Sequence, residues 1–256
     1  MKHKIKMIAT DLDGTLLRSD KTISERSKGV LSRCRSAGIK VVYATGRGPS
    51  ARRIAPDELF DSQISMNGAV ARIGNEIIHR RLIPYESARQ VLLACHRRGL
   101  IAASEANDIH YTNFDLAKKW PGFKGEDFKI VDFSLHDIDA EKLYSFVNNP
   151  EDLAVIKNSV PDDLYLIATQ DGFIQVMHKE ASKSKALMEL ARIWGIDKAE
   201  ILSFGDDLND IDMLEYTGIG VAMGNAVDEV KSAADFVCDS NDDDGLAKWI
   251  EANVEI

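Results

Sequence analysis

Short apolar runs alternate with helical patterns in the first part of the chain. The apolar run Met7–Thr10 is followed by apolar residues at helical spacing, which begin after Ser24 and stop near Gly38. A second apolar run covers residues 39–44. Short apolar runs bounded by turn residues predict buried strands, whereas apolar residues three and four apart predict a helix. Strands that alternate with helices are typical of a parallel sheet.

The same alternation returns near the end of the chain. A helical stripe from Ala186 to Trp194 stops at Gly195, a residue that commonly ends helices. Strand-like runs at 201–204 and 219–222 follow, with another helical segment between them. The two ends of the chain, 1–81 and 180–256, therefore predict one α/β core with a parallel sheet.

The middle of the chain has a different pattern. The pattern predicts hairpins over 70–78, around Gly74, and over 165–177, around the turn signal Asp171-Gly172. One amphipathic helix is predicted over 84–98, followed by a less periodic stretch. We interpret 82–179 as an α+β domain inserted into the parallel core.

Charge and composition exclude several classes of protein. The chain has 32 Lys plus Arg against 41 Asp plus Glu, a net charge of −9, which argues against binding nucleic acid or an anionic membrane through bulk charge. No apolar run approaches the ~18 residues needed to cross a bilayer. Asp11 and Asp13 interrupt the apolar stretch that a signal peptide would need. We therefore expect a cytoplasmic protein with no nucleic-acid or membrane partner.

The sharpest candidate for chemistry is the run Asp-Leu-Asp-Gly-Thr at 11–15, directly after the first predicted strand. Ligands of parallel α/β sheets bind outside the carboxyl ends of strands, so Asp11 and Asp13 are both expected at that edge. One carboxylate could act as a nucleophile and the other could transfer protons, with Gly14 allowing the turn. A solvated Asx turn is the alternative that this run alone leaves open.

Two further groups of donors follow predicted elements. The run Thr-Gly-Arg at 45–47 ends the second strand and offers a hydroxyl, backbone N–H groups and a cation, the donors that a phosphoryl oxygen needs. Lys179, Lys183 and Lys185 precede a predicted helix, and one of them could neutralise a phosphate. The alternatives are a helix cap for the first group and a solvated basic face for the lysines.

The fourth candidate is the acidic run 205–210, again after a predicted strand. It holds carboxylates at Asp206, Asp207 and Asp210 and an amide at Asn209. Three carboxylates at one strand end repel one another unless a cation offsets them, and hard oxygen ligands suit Mg²⁺. Asp-x-Asp, Thr, Lys and an acidic cluster at strand ends form a complete set for phosphoryl transfer.

Together these motifs resemble those of the haloacid dehalogenase superfamily of phosphohydrolases, and more closely its Cof-type branch, subfamily IIB. The matching segments are 11–15, Thr45, Lys183 within Ala-Ser-Lys, and 205–210, joined by Met-Asn-Gly-Ala at 66–69 and Val-Ala-Met-Gly-Asn-Ala at 221–226. The resemblance spans the whole chain. It implies a Rossmann-like core with a C2-type α/β cap inserted between Thr45 and Lys183, at 82–179.

The resemblance also implies a role for each motif residue. Asp11 would attack phosphorus, while Asp13 would protonate the leaving oxygen and later deprotonate the hydrolytic water. The implied phosphate-binding residues are Thr45, Gly46, Arg47, Lys183 and Asn209. The implied Mg²⁺ ligands are Asp11, Asp13 through its backbone carbonyl, Asp206 and, close behind them, Asp210. Lys183 is preferred to Lys185 because of its register with the helix that follows.

The function implied is a Mg²⁺-dependent phosphatase that hydrolyses a small phosphorylated metabolite, such as a sugar phosphate, through an aspartyl-phosphate intermediate. A lid formed by the inserted domain would exclude water and favour small substrates. A phosphomutase or phosphotransferase, or a receiver-type signalling module, could use the same Asp nucleophile. A dehalogenase has no leaving alkoxide to protonate, so Asp13 and the acidic cluster speak against it.

Overall fold

The structure is a computed structural model that describes residues 2–169 and 171–256. Its strands are β1 Met7–Thr10, β2 Lys40–Ala44, β3 Ser62–Ser65, β4 Val70–Ile73, β5 Glu76–Arg80, β6 Ala102–Ala106, β7 Ile109–Thr112, β8 Phe128–Ile130, β9 Lys142–Phe146, β10 Leu164–Ala168, β11 Phe173–His178, β12 Ile201–Gly205, β13 Ile219–Ala222 and β14 Phe236–Val237. Its α-helices are α1 Glu25–Ser36, α2 Tyr85–Arg97, α3 Leu116–Lys119, α4 Pro150–Ser159, α5 Lys183–Trp194, α6 Ile211–Tyr216, α7 Asp228–Ala233 and α8 Gly245–Asn253. Within the described ranges, no helix has both the length and the apolar character needed to cross a membrane.

The chain divides into two compact units, each with its own sheet and apolar core. The core unit combines the chain up to His79 with Ser182–Ile256, and the inserted unit is Arg80–Ala181. The sequence places the insertion at 82–179.

The sheet of the core unit has the strand order β14-β13-β12-β1-β2-β3-β4-β5. Pairing is parallel from β14 to β3, and β4 is antiparallel to β3. The chain proceeds outward from β1 in both directions, so the topological switch point lies beside β1, where open α/β sheets bind ligands. The predicted α/β fold class is confirmed.

The register of the central strands brings their carboxyl ends level. Thr10, the last residue of β1, pairs with Phe204 of β12 and with Tyr43 of β2. The residues that follow these three strands therefore emerge at one edge of the sheet.

Helix α5 carries the candidate lysine to the same edge. The Ser182 side chain caps the helix by accepting a hydrogen bond from the Lys185 backbone N–H, and Gly195 ends the helix in the left-handed conformation, as the sequence predicts. The apolar side of α5, formed by Ala186, Leu187, Leu190 and Ala191, is buried in a core cluster with β1, β2 and β12. This packing fixes Lys183 in the first turn.

The inserted unit is an α+β structure built around one sheet. The sheet has the strand order β10-β11-β9-β6-β7-β8, and α2 and α4 pack on one of its faces. Helix α2 and the β10–β11 hairpin confirm the elements predicted at 84–98 and 165–177. Strands β6, β7 and β9 and helix α4 lie in the stretch where the sequence showed little periodicity.

His136 is a buried histidine of the inserted unit. Its Nε2 lies 3.0 Å from the Ser104 hydroxyl on β6, and the residue is 4% exposed. Burial lowers the pKa of His136; the Asp137 carboxylate opposes this effect and the Arg89 guanidinium adds to it.

Acidification is therefore expected to destabilise the inserted unit. Below the ordinary histidine pKa of about 6.5, the unfolded chain takes up a proton that folded His136 does not. The free energy of unfolding therefore decreases as the pH is lowered. His136→Gln should lose this contribution, whereas the matched control His96→Gln, at an exposed position of α2, should keep it. Urea unfolding between pH ~5 and ~8 measures the difference. If the free energy of unfolding varied with pH in the same way for wild type and His136→Gln, His136 would not be the source of the acid destabilisation.

Candidate active site

Three carboxylates from two neighbouring strands meet at the carboxyl edge of the core sheet. Asp11 directly follows β1, and Asp206 and Asp210 lie in the segment after β12. One oxygen of each carboxylate lies within 4.8 Å of the others. The structure thus brings the first and fourth sequence motifs together, as the common edge of parallel strands predicts.

Lys183 is the cation of this cluster. Its Nζ lies 2.7 Å from Asp11 Oδ1 and 2.6 Å from Asp210 Oδ1, and the residue is 1% exposed. Burial alone would lower the pKa of Lys183, but the two carboxylates outweigh this effect and raise it. Lys183, rather than Lys185, therefore occupies the candidate site and remains charged.

Asp210 shapes the loop that carries Asp206. While its Oδ1 accepts from Lys183, its Oδ2 accepts hydrogen bonds from the backbone N–H groups of Asp206, at 2.9 Å, and Asp207, at 3.1 Å. Both oxygens of Asp210 are thus held within the fold. These hydrogen bonds fix the backbone of the loop at Asp206 and Asp207.

Asp206 is held by the first motif. Its Oδ1 accepts a hydrogen bond of 2.6 Å from the Thr15 hydroxyl. Gly14 has a φ of +79°, and a Cβ at this position would lie 2.2 Å from Asp206 Oδ2. Only glycine leaves room for the carboxylate here. Burial raises the pKa of Asp206 to about 6, although the Thr15 hydrogen bond opposes this effect.

Asp11 is the most strongly perturbed carboxyl group of the site. Burial raises its pKa to about 8; Lys183 opposes this effect, and the Asp210 and Asp206 carboxylates add to the rise. Three carboxylates share one lysine, so the ionised cluster has an excess of negative charge. Like charges in a buried site repel unless a cation offsets them.

This donor set fits a hard divalent cation. Carboxylate oxygens are the ligands that Mg²⁺ prefers, and the excess charge of the cluster favours a cation of charge two. Gly14, which has no side chain, lets its backbone lie against the Asp206 carboxylate. Asp11, Asp206 and Asp210 form the acidic group that could hold such an ion.

The second acid of the first motif, Asp13, is paired with two cations. Arg47 donates from Nε to Asp13 Oδ2, at 2.5 Å, and from its terminal nitrogen to Oδ1, at 2.7 Å. Lys21 Nζ donates to the same Oδ1 at 2.9 Å. Partial burial would raise the pKa of Asp13, but Arg47 and Lys21 outweigh it and lower the pKa. The resemblance implies that Arg47 binds phosphate, whereas in this structure Arg47 contacts the Asp13 carboxylate.

The phosphoryl-binding candidates Thr45 and Gly46 lie in the loop after β2. Thr45 is buried, and its Oγ1 accepts the Arg47 backbone N–H at 3.1 Å. A threonine hydroxyl that accepts one hydrogen bond still has its own proton to donate. Asn209 approaches from the β12 side, where its Nδ2 donates to Asn67 Oδ1 at 2.8 Å.

The structure adds four residues that had no role in the sequence-based assignment. They are Thr15 and Lys21, described above, Asn67, and Asn225, whose Nδ2 donates to the Gly14 carbonyl at 2.8 Å. Thr15, Asn67 and Asn225 lie inside segments that carried the family resemblance, so their position in those segments was a signal. Lys21 lies outside every motif.

The site residues fall inside the range covered by a family match. Residues 8–250 match the model of the haloacid dehalogenase-like hydrolases. The chain belongs to this family. The resemblance to its Cof-type branch, subfamily IIB, is confirmed as well.

Individual relatives match over nearly the whole chain. The 5-amino-6-(5-phospho-D-ribitylamino)uracil phosphatase YcsE of Bacillus subtilis is 31% identical over 259 residues, 96% of this chain and 94% of its own. A haloacid dehalogenase-like hydrolase of Bacteroides thetaiotaomicron gives a TM-score of 0.86 at 26% identity, covering 97% of this chain and 99% of its own. A subclass IIB sugar phosphatase gives 0.81 at 28% identity, covering 96% and 98%. These similarities support a phosphatase of subclass IIB.

Proposed function

We propose that the protein is a Mg²⁺-dependent phosphatase that hydrolyses small phosphorylated metabolites through an aspartyl-phosphate intermediate. The observation that carries this proposal is the buried Lys183 bridging Asp11 and Asp210, beside Asp206, at the switch point of the sheet. A nucleophilic carboxylate, a fixed cation and a hard-ion site are the parts that phosphoryl transfer needs.

In the first step, Asp11 attacks phosphorus; the bond from its oxygen to phosphorus forms as the bond to the leaving oxygen breaks. Lys183 holds the Asp11 carboxylate in place and offsets the charge of the approaching phosphate. Thr45, Gly46 and Asn209 supply hydrogen-bond donors to the phosphoryl oxygens. A positioned set of donors stabilises charge that develops in the transition state.

Asp13 moves the protons of both steps. It protonates the leaving oxygen, and then takes a proton from the water that attacks the phosphorylated Asp11. A group must be protonated before it can act as an acid, yet Arg47 and Lys21 lower the pKa of Asp13. Asp13 therefore has to separate from these cations before it can be protonated. Arg47 releases Asp13 when its guanidinium moves from the Asp13 carboxylate to the substrate phosphate.

The residues that would hold Mg²⁺ are Asp11, Asp206 and the backbone carbonyl of Asp13, with Asp210 behind them. Mg²⁺, when bound, offsets the negative charge of the phosphoryl group and of the carboxylates.

The proposed substrates are phosphate esters of small polyhydroxylated compounds. Two relatives are named as a sugar phosphatase and as a phosphatase for a phosphoribitylamino-substituted uracil. The substrates in both names carry a phosphate on a polyhydroxylated carbon chain. Both proteins match this chain over more than nine tenths of its length.

A screen of phosphorylated metabolites with Mg²⁺ tests the function. Sugar phosphates, phosphorylated sugar alcohols, nucleotides and cofactor phosphates are compared by release of inorganic phosphate. A phosphomutase or phosphotransferase would yield a new ester without free phosphate. A signalling module would accumulate a long-lived phospho-aspartate. Absence of phosphate release from every compound would remove the main support for the phosphatase.

Asp206→Asn is expected to weaken Mg²⁺ binding. The amide keeps an oxygen that can accept from Thr15 but lacks the charge that attracts the cation. The Mg²⁺ concentration that gives half-maximal activity should rise at least about 100-fold, the upper end of what losing an outer partner of a metal ligand costs. Calorimetric titration with Mg²⁺ should show the same weakening without substrate.

The neighbouring acid provides a matched control. Asp207 is exposed, and its side chain accepts from the Leu208 backbone N–H, a bond that an amide oxygen can also accept. Asp207→Asn should keep the wild-type Mg²⁺ requirement. An unchanged requirement in Asp206→Asn would overturn the assignment of Asp206 as a ligand.

A further inference from the structure

The segment Met-Asn-Gly at 66–68, between β3 and β4, contains three successive residues in the left-handed backbone region. Met66, Asn67 and Gly68 have φ values of 52°, 51° and 94°. Two of them carry side chains, and a run of such residues is rare because each side chain crowds the backbone. Strained backbone of this kind persists only where its surroundings determine it, and it clusters at functional sites.

The surroundings of this turn are two of the proposed phosphoryl-binding segments. The Met66 N–H donates to the Arg47 carbonyl at 2.9 Å, and the Asn67 N–H donates to the Thr45 carbonyl at 3.0 Å. On its other side the turn packs against the start of α5, where a Cβ on Gly68 would lie 2.0 Å from the Ser182 carbonyl oxygen. The turn thus packs between the Thr45 loop and the segment that carries Lys183.

The Asn67 side chain connects the turn to a third segment. It is 3% exposed, and its Oδ1 accepts the hydrogen bond from Asn209 Nδ2 at 2.8 Å. A Cβ on Gly46 would lie 2.9 Å from the same Oδ1, so the carboxamide lies directly against Gly46. One buried side chain therefore contacts both the Thr45 loop and the acidic loop after β12.

We propose that Asn67 is a positioning residue that orients the Asn209 amide for phosphoryl transfer, a role that rests on the function proposed above. An amide nitrogen carries two hydrogens. With one of them held by Asn67, the other has a fixed direction and donates to a phosphoryl oxygen. Asn67 does not itself touch the reacting atoms.

Asn67→Gly tests this role without disturbing the backbone. Glycine adopts a φ near 51° at no steric cost, so the variant deletes the carboxamide and keeps the turn. Released from Asn67, the Asn209 amide loses its fixed direction. We expect kcat/KM for a hydrolysed phosphate ester to fall about 10- to 100-fold, the size of effect that follows from a displaced catalytic contact.

A double-mutant cycle with Asn209→Ala separates positioning from a general structural role. If Asn67 acts through Asn209, the double variant should be within about threefold of Asn209→Ala alone. Two independent losses that multiply would overturn the proposal, as would a loss below about twofold in Asn67→Gly. Asn107→Gly, at an exposed left-handed position of the β6–β7 turn, is the matched control and should keep wild-type activity.

Orthovanadate binding with Mg²⁺, measured by calorimetry, provides a readout that does not depend on turnover. Asn67→Gly should weaken vanadate binding, and this effect should disappear in the Asn209→Ala background. If wild type binds vanadate but hydrolyses no ester, the phosphatase proposal fails, and the same cycle on vanadate affinity decides the role of Asn67. Equal vanadate affinity of wild type and Asn67→Gly, or no vanadate binding by wild type, overturns the positioning role.

Discussion

Replacement of Asp11 by Asn is expected to abolish phosphoryl transfer. An amide does not attack phosphorus, so no phospho-enzyme forms from any ester, and kcat/KM should fall at least about 10⁴-fold, as when other covalent enzymes lose their nucleophile. Rapid quenching followed by mass spectrometry of the intact protein detects the phospho-enzyme in wild type. Phosphate release measures the rate.

The same substitution should not weaken the fold. Burial and two neighbouring carboxylates raise the pKa of Asp11, so its ionised form is unfavourable in the metal-free protein. The amide removes one of three mutually repelling charges, while Lys183 keeps Asp210 at 2.6 Å. Metal-free Asp11→Asn is therefore expected to melt at or above the wild-type temperature. A phospho-enzyme in this variant, or activity within about tenfold of Asp207→Asn, would contradict the nucleophile assignment.

The geometry of the parallel sheet explains why the main site could be predicted from sequence. Asp11 and Asp206 are 195 positions apart in the chain numbering, yet each follows a strand whose last residues pair in register, Thr10 with Phe204. Recognising two buried strands was enough to place both acids at one edge.

Helical periodicity likewise accounts for the placement of Lys183. Leu187 and Leu190 face the sheet, and a residue four or seven positions earlier on the same helix lies on the same side. Lys183 satisfies both spacings, whereas Lys185 is offset by two residues and lies on another side of the helix.

Contacts made by irregular segments were beyond this kind of inference. Lys21 reaches Asp13 from a loop residue with a φ of 66°, and Asn67 reaches Asn209 from a left-handed turn. Neither position belongs to a periodic pattern. Their partners are set by tertiary packing, which hydrophobic spacing does not encode.

Strand β6 of the inserted unit was not predicted, for a related reason. Strand β6, Ala-Ala-Ser-Glu-Ala, lacks the β-branched and aromatic residues that mark strands. Its Glu105 is buried because Lys142 on neighbouring β9 pairs with it at 3.1 Å. A buried ion pair looks like two surface residues in the sequence, so the alternation of apolar and polar positions is misleading there.

The loss caused by Asp13→Asn is expected to depend on the leaving group. The variant keeps Asp11 and the backbone carbonyl at position 13 but has no carboxylic proton to donate. An alkoxide leaves poorly without that proton, whereas a nitrophenolate needs little help. The rate of enzyme phosphorylation should fall about 10³-fold with an alkyl phosphate and about tenfold or less with nitrophenyl phosphate. Rapid-quench measurement of the first step gives both rates, and it is required because Asp13 is also assigned to activate water in the second step.

The pairing of Asp13 with Arg47 and Lys21 supplies the competing explanation for a defect in this variant. Loss of the carboxylate weakens both pairs, so Arg47 could move and phosphate binding could suffer for every ester. A binding defect of that kind lowers the phosphorylation rate by one common factor, because both esters present the same phosphoryl group. Equal losses would therefore mean that Asp13 positions Arg47 and transfers no proton to the leaving oxygen. A larger loss for the alkyl ester is produced only by a missing acid.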